Sequence, residues 1–196
     1  ASSGCDFGYF GASNASYSGR PDLQMHGMVT AGDRGLFEGF LHYGRAFTGQ
    51  VGEPSDYSSL FAQGLLIAPT LLHAAAEGSV GLNPAHKASG YDGPPTIRYE
   101  AFGDDDDVRR LTEGIRRLQE IMRQPSMARL KPTLLHARDL AAELGEDTDA
   151  YWAQYIRRFG FVVYHPTGTC RMGRAGEPST VVDPSLRVLG VRGLRV

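Results

Sequence analysis

Between Asp104 and Pro125 the chain reads as an amphipathic helix, and this segment constrains the fold more than any other. Val108, Leu111, Ile115, Leu118 and Met122 recur at spacings of three and four, which draws one apolar stripe along a helix. Asp104 to Asp107 supply an N-cap and place negative charge at the positive end of the helix dipole. Arg109, Arg110, Arg116, Arg117 and Arg123 lie off the stripe, and Pro125 ends the helix. A stripe of this width needs an apolar surface to pack on, so the rest of the chain must provide one. The four aspartates read as a solvated cap rather than a metal loop, because hard-cation loops spread their ligands over alternate positions around a glycine turn.

Strands are the natural partner. Leu23, Met25, Gly27 and Val29 fall on one face of a strand that follows Arg20-Pro21-Asp22. The apolar run from Leu60 to Leu72 holds Gly64 and Pro69, which argue against one helix and for a strand. Gly78 to Leu82 and Thr96 to Glu100 read as two short strands, separated by a loop with turn signals at Asn83-Pro84 and Gly93-Pro94-Pro95. His136 to Leu144 reads as a short helix closed by Gly145. The next helix is capped by Asp147 or Thr148 and buries Tyr151, Trp152, Tyr155, Ile156 and Phe159. Phe161-Val162-Val163-Tyr164 reads as a buried strand. Residues 1–20 have the Gly/Ser/Asn composition of a loop or linker, and residues 30–58 read as a long aromatic excursion over a pocket or interface.

With 20 basic and 22 acidic residues the net charge is −2, which makes no electrostatic case for nucleic acid or an anionic membrane. No stretch reaches the roughly 18 consecutive apolar residues of a membrane span. Cys5 and Cys170 are too few for a disulfide framework, so a reducing, cytoplasmic or other soluble compartment is the easier expectation. Residue 1 is Ala, and Val188 to Val196 read as a strand entering without a neighbour. Both ends therefore predict a fragment.

The common catalytic constellations are missing. There is no G-x-G, hence neither a dinucleotide fingerprint nor a P-loop; no G-x-S-x-G; and no H-E-x-x-H. His165 with Cys170 offers at most two metal ligands where zinc needs three or four, so no metal site is expected. His165 itself stands at the end of an apolar strand, directly before Pro166-Thr167-Gly168. That is a rigid mount beside a turn that a ligand can approach closely. Its imidazole can exchange a proton near neutral pH. A structural histidine bonded to a carbonyl is the commoner outcome for such a residue, and these residues alone leave both readings open. His26 and His42 lie near the first strand and the aromatic excursion; His73, His86 and His136 sit in turn or helix-edge settings.

A longer motif bears on the choice. Tyr164-His165-Pro166-Thr167-Gly168-Thr169-Cys170-Arg171-Met172-Gly173, followed nine residues later by the run from Val182-Asp183-Pro184-Ser185-Leu186-Arg187-Val188 to Val196, closely resembles the C-terminal signature of the glucose–methanol–choline (GMC) oxidoreductases. The stretches 20–24, 64–82, 94–95 and 107–115 resemble that family's substrate domain in the right order, while 30–58 and 126–146 match only loosely.

The resemblance implies an α+β fold: one antiparallel sheet with helices packed on one face, and a C-terminal segment returning to a missing, Rossmann-like FAD-binding domain. Its implied division is a linker at 1–20, a substrate-binding domain at 21–160 and the motif and return segment at 161–196. It implies FAD as cofactor and a small-molecule alcohol as substrate. His165 would take the hydroxyl proton while the carbon gives hydride to flavin N5. The family's FAD fingerprint and its second catalytic residue, a His or Asn beyond Val196, are absent from this chain. By this reading the chain alone neither holds FAD tightly nor turns over, and the missing FAD-binding portion is its partner. A lyase of the same family and a non-catalytic binding module remain alternatives; the retained His165-Pro166 favours alcohol oxidation over decarboxylation.

Overall fold

The computed structural model describes residues 6–13, 20–29, 65–132, 134, 137–162 and 165–196. The aromatic excursion at 30–58, His42, His136 and Cys5 lie outside them. Two compact units emerge. One comprises residues 1–76 and 101–161, the other residues 77–100 and 162–196.

The first unit is built on a three-stranded antiparallel sheet in the order β1 (Phe7–Gly11), β2 (Leu23–Val29), β3 (Leu65–Leu71). Leu23 pairs with Gly11 on one side and Leu71 on the other, which fixes the register. β1 falls in a stretch whose composition reads as loop. Phe7, Tyr9 and Phe10 suit a strand, but the glycines between them hide it, and only pairing with β2 brings it out. Pro69 opposes Met25 on β3, at an edge of the described sheet, where a missing N–H is tolerated.

Helix α1 (Asp105–Met122) covers this sheet as its stripe requires. Val108 and Leu111 are buried with Leu23 of β2, and Ile156 of a later helix completes the cluster. Gly114 faces Leu23 and Pro69, and a Cβ there would meet them at ordinary van der Waals distance, 3.4 and 3.5 Å. After Arg123, Pro125 opens a single further turn, α2 (Pro125–Ala128). α3 (Arg138–Leu144) ends at Gly145, which adopts a positive φ of 80°. α4 (Asp149–Phe159) is capped by Thr148, whose side chain accepts the Tyr151 N–H. Tyr151, Trp152 and Leu140 form the second buried cluster. The other cap candidate, Asp147, has a separate task. It accepts Arg116, Gln119 and the Trp152 indole N–H at 2.6–2.7 Å and so ties α1 to the start of α4.

The aspartate run is only partly a solvated cap. Asp104 caps α1 by accepting the Asp106 and Asp107 N–H groups, and Asp105 is exposed. Asp107 is only 1% exposed. Its carboxylate accepts the backbone N–H groups of Ala75 and Ala76 and receives Arg110 at 2.5 Å. Arg110, itself off the apolar stripe, is 3% exposed. It also donates to the His73 carbonyl and lies 3.6 Å from the fully buried Asp22, which accepts both the N–H and the hydroxyl of Ser13. This ion network pins the chain entering β2 and the chain leaving β3 to one turn of α1.

The second unit contains a separate two-stranded sheet, β4 (Ser79–Gly81) with β5 (Thr96–Arg98), linked by a 3-10 helix at Pro84–Ser89. The expectation of one sheet is therefore corrected: the four sequence strands divide between two small sheets. β4 and β5 are each other's ladder partners and pair with no strand of the larger sheet. Two further expectations change. Phe161 and Val162 are half-buried coil, not strand, with 163–164 outside the described residues. Residues 188–196 do not enter a sheet as a free strand. They fold back, so that Arg195 pairs with Arg187 and the Val196 N–H reaches the Leu186 carbonyl. Among the described residues no helix is long and apolar enough to cross a membrane, and no group of three metal-ligating side chains gathers.

Candidate functional site

The turn that carries His165 belongs to the second unit, and that unit is held together by backbone bonds more than by a core. Val182, 1% exposed, is its one buried hydrophobic among the described residues. Two segments flank it: Met172 bridges Val182 on one side and Val188 on the other, where the Leu189 N–H also donates to the Val181 carbonyl. The Arg171 carbonyl accepts the N–H groups of both Val181 and Val182.

Asp183 explains the residue types that follow. Its Oδ1 accepts the Ser185 and Arg187 N–H groups at 2.8 and 2.9 Å, while its own N–H donates to the Arg187 carbonyl. An aspartate can close such a loop because a short carboxylate reaches the backbone two to four residues on. The closure forces Leu186 to φ +64°, a left-handed conformation unusual for leucine. The Asp-Pro-x-Leu-Arg-Val run makes Asp183 part of the motif without giving it a role. The signal was present, since Asp followed by Pro and Ser is a turn-forming triplet.

Beside these closed loops the segment 165–170 stands out into solvent. His165, Pro166, Thr167 and Gly168 are all exposed, as is the free thiol of Cys170. Among the described residues the His165 imidazole makes no hydrogen bond, so no backbone carbonyl satisfies it. Gly168 has φ +96°, and a Cβ built there would meet nothing within 4 Å. The turn thus offers a bare imidazole, a rigid proline and an open stretch of backbone side by side. Arg171, next along, points back into the unit, donating to the Ser179 hydroxyl at 3.0 Å with Glu77 at 3.9 Å.

The remaining histidines are dispersed. His26 is half-buried on β2 between Gly8 and Ala68, the exposed His73 follows β3, and His86 lies half-buried in the 3-10 helix.

Perturbed acids lie in the first unit. Burial pushes the Asp22 carboxyl up, but hydrogen bonds from Ser13 and the charge of Arg110 outweigh it and leave it below the usual range. Asp147 follows the same pattern, its burial offset by Gln119, Trp152 and Arg116. These shifts accompany structural ion networks.

Comparison with known proteins agrees with the motif. The family model described as GMC oxidoreductase matches residues 74–196. Choline oxidase of Arthrobacter globiformis is 36% identical over 164 residues, covering 80% of this chain and 27% of that protein. Glucose dehydrogenase [FAD, quinone] of Drosophila melanogaster is 35% identical over 182 residues, covering 90% of this chain and 26% of that protein. Alcohol dehydrogenase [acceptor] of Pseudomonas putida is 32% identical over 121 residues, 62% of this chain and 20% of that protein. The chain thus spans about a quarter of the length of the first two relatives. A match over more than half the chain, through the segment that carries His165 and the Asp183 loop, makes the chain a member of the GMC oxidoreductase family.

Proposed function

We propose that the protein carrying this chain oxidises a CH–OH group of a small-molecule alcohol, with FAD as cofactor and His165 as the proton-accepting residue. Residues 161–196 then form the segment that returns to the FAD-binding portion. The observation that carries the reading is the His165 side chain, exposed on a turn and, among the described residues, bonded to no carbonyl. Open space adjoins the turn at Gly168, where a Cβ would meet nothing within 4 Å. The turn does not by itself hold a dinucleotide, for the chain has no G-x-G.

When bound, the flavin supplies the hydride acceptor. His165 supplies what a hydride donor needs. Hydride leaves a carbon readily only when its oxygen carries developing negative charge. An imidazole at that oxygen accepts the hydroxyl proton and then, as imidazolium, stabilises the charge.

The test is anaerobic mixing of the full-length protein with candidate alcohols while flavin absorbance near ~450 nm is followed. An alcohol should bleach the oxidised band. In His165→Ala the bleaching should slow by about 10²–10⁴-fold, the range of general base catalysis, with substrate dissociation changed far less. A flavin that no alcohol reduces, or a variant that reduces as fast as the parent, would sink the proposal. Non-redox turnover with the flavin staying oxidised would identify a lyase.

A further inference from the structure

The chain that carries His165 is fixed six residues further on, at Arg171. The Arg171 carbonyl accepts the N–H groups of Val181 and Val182 at 2.8 and 3.1 Å, and the Gly173 N–H donates to the Val182 carbonyl at 3.0 Å. The approach here is close. A Cβ on Gly173 would stand 2.2 Å from the Thr180 hydroxyl oxygen, so any larger residue would displace that side chain. The Arg171 side chain adds a bond to the Ser179 hydroxyl at 3.0 Å.

This anchor is itself held from its far side. Val182 bridges Val188, and the Leu189 N–H donates to the Val181 carbonyl at 2.9 Å. Residues 181–182 therefore lie between 171–173 and 188–189 and are bonded to both. The turn at 183–187 brings 188–189 back against them. Two backbone bonds help to close it, from Leu186 N–H to the Asp183 carbonyl and from Asp183 N–H to the Arg187 carbonyl. The Asp183 carboxylate supplies the other two, accepting the Ser185 and Arg187 N–H groups on one oxygen. The closed turn holds Leu186 at φ +64°, and Ser179 stands at φ +62°. A residue other than glycine stays in that region only where the bonds around it over-determine its conformation, and such strain gathers at working sites.

We infer that Asp183 is a positioning residue for His165. Through 188–189 and 181–182 it holds 171–173, the anchor from which the His165 turn extends. The inference rests on the reading of His165 as the proton acceptor, and Asp183 touches no reacting atom. A general base works only within hydrogen-bond reach of the proton it takes. A shift of about 1 Å, caused far from the chemistry, can slow a reaction by on the order of 10²-fold. What the turn requires of Asp183 is a short side chain with an accepting oxygen, and an amide carbonyl offers the same.

The experiment is a double-variant cycle in the full-length protein. Flavin reduction by an alcohol is followed anaerobically, with rates taken per bound flavin. Asp183→Ala should lower the limiting reduction rate by about 10–10²-fold, while alcohol dissociation changes far less. In Asp183→Asn the amide oxygen still accepts both N–H groups, and the rate should stay within about threefold of the parent. Added to His165→Ala, Asp183→Ala should cost nothing further, because the group it places is gone. If Asp183→Ala retains no flavin, Asp183→Ser, whose hydroxyl closes such turns more weakly, takes its place in the cycle. A merely structural role predicts another pattern: losses that multiply in the double variant, or equal losses in Asp183→Asn and Asp183→Ala. Either result, or a parent-like rate in Asp183→Ala, overturns the inference and leaves the role of His165 standing. A parent-like rate in His165→Ala sinks that role, and the inference with it.

Discussion

Asp22 shows how one buried carboxylate sets the acid limit of the first unit. It is fully buried, so desolvation pushes its pKa up; the two Ser13 bonds and Arg110 pull it down further. The net value lies below the unfolded one of 3.8. The sign of the consequence is fixed by linkage. A group whose folded pKa is depressed adds stability above its unfolded pKa and loses it as pH falls through the folded value. Asp147 and Asp139 are depressed as well, Asp139 mainly by its bond from Arg158. Stability should therefore be flat above about pH 5 and fall below about pH 4. Urea midpoints measured as the pH is lowered from about 5 to below about 4 should fall less steeply in Asp22→Asn than in the parent. Parallel curves would mean that Asp22 gains nothing from its partners. His165 presents the opposite case at this scale. It has no described partner to shape it, and its meaning came from the motif around it. The local residues favoured a structural histidine and left a catalytic one open, because nothing local says whether a carbonyl waits for the ring.

Elements were legible where their signal is local. The stripe of α1 and the aromatic face of α4 lie within single segments, and Thr148 was one of two caps the sequence offered. β1 was illegible for the converse reason: a glycine-rich strand is stabilised by its partner, and β2 lies a dozen residues away. The fold-back at 188–196 was missed because its partner, Arg187, sits just upstream inside what reads as one continuous strand. Asp107 shows how far a sequence pattern can mislead within one element. It looks like the fourth member of a solvated run, yet Asp105 stands in water while Asp107 lies against Ala75, Ala76 and Arg110. Removing one partner of a buried pair leaves the other charge stranded, at a cost of about 3–5 kcal/mol. Asp107→Ala should therefore lower the unfolding free energy by that amount. Asp105→Ala, which breaks only the exposed contact to Arg157, should cost about 0–1 kcal/mol. Similar losses in the two variants would refute the distinction.

At the scale of the molecule the two units differ in what holds them. The first has two apolar clusters and a buried ion network; the second has Val182, a set of closed turns and a hairpin. The hairpin is amphipathic without a cover among the described residues. Val80 and Ile97 are direct cross-strand partners, 56% and 66% exposed, and by alternation Leu82 and Tyr99 continue the same face. Exposed side chains of this kind contribute little to the stability of the chain that displays them. Val80→Thr/Ile97→Thr should accordingly shift the unfolding free energy of the 196-residue chain by no more than about 0.5 kcal/mol per site. Because the pair adds apolar surface to solvent, the double variant should also bind less of a hydrophobic dye and aggregate more slowly. A loss of several kcal/mol would show that this face is packed in solution and that the second unit has a core beyond Val182.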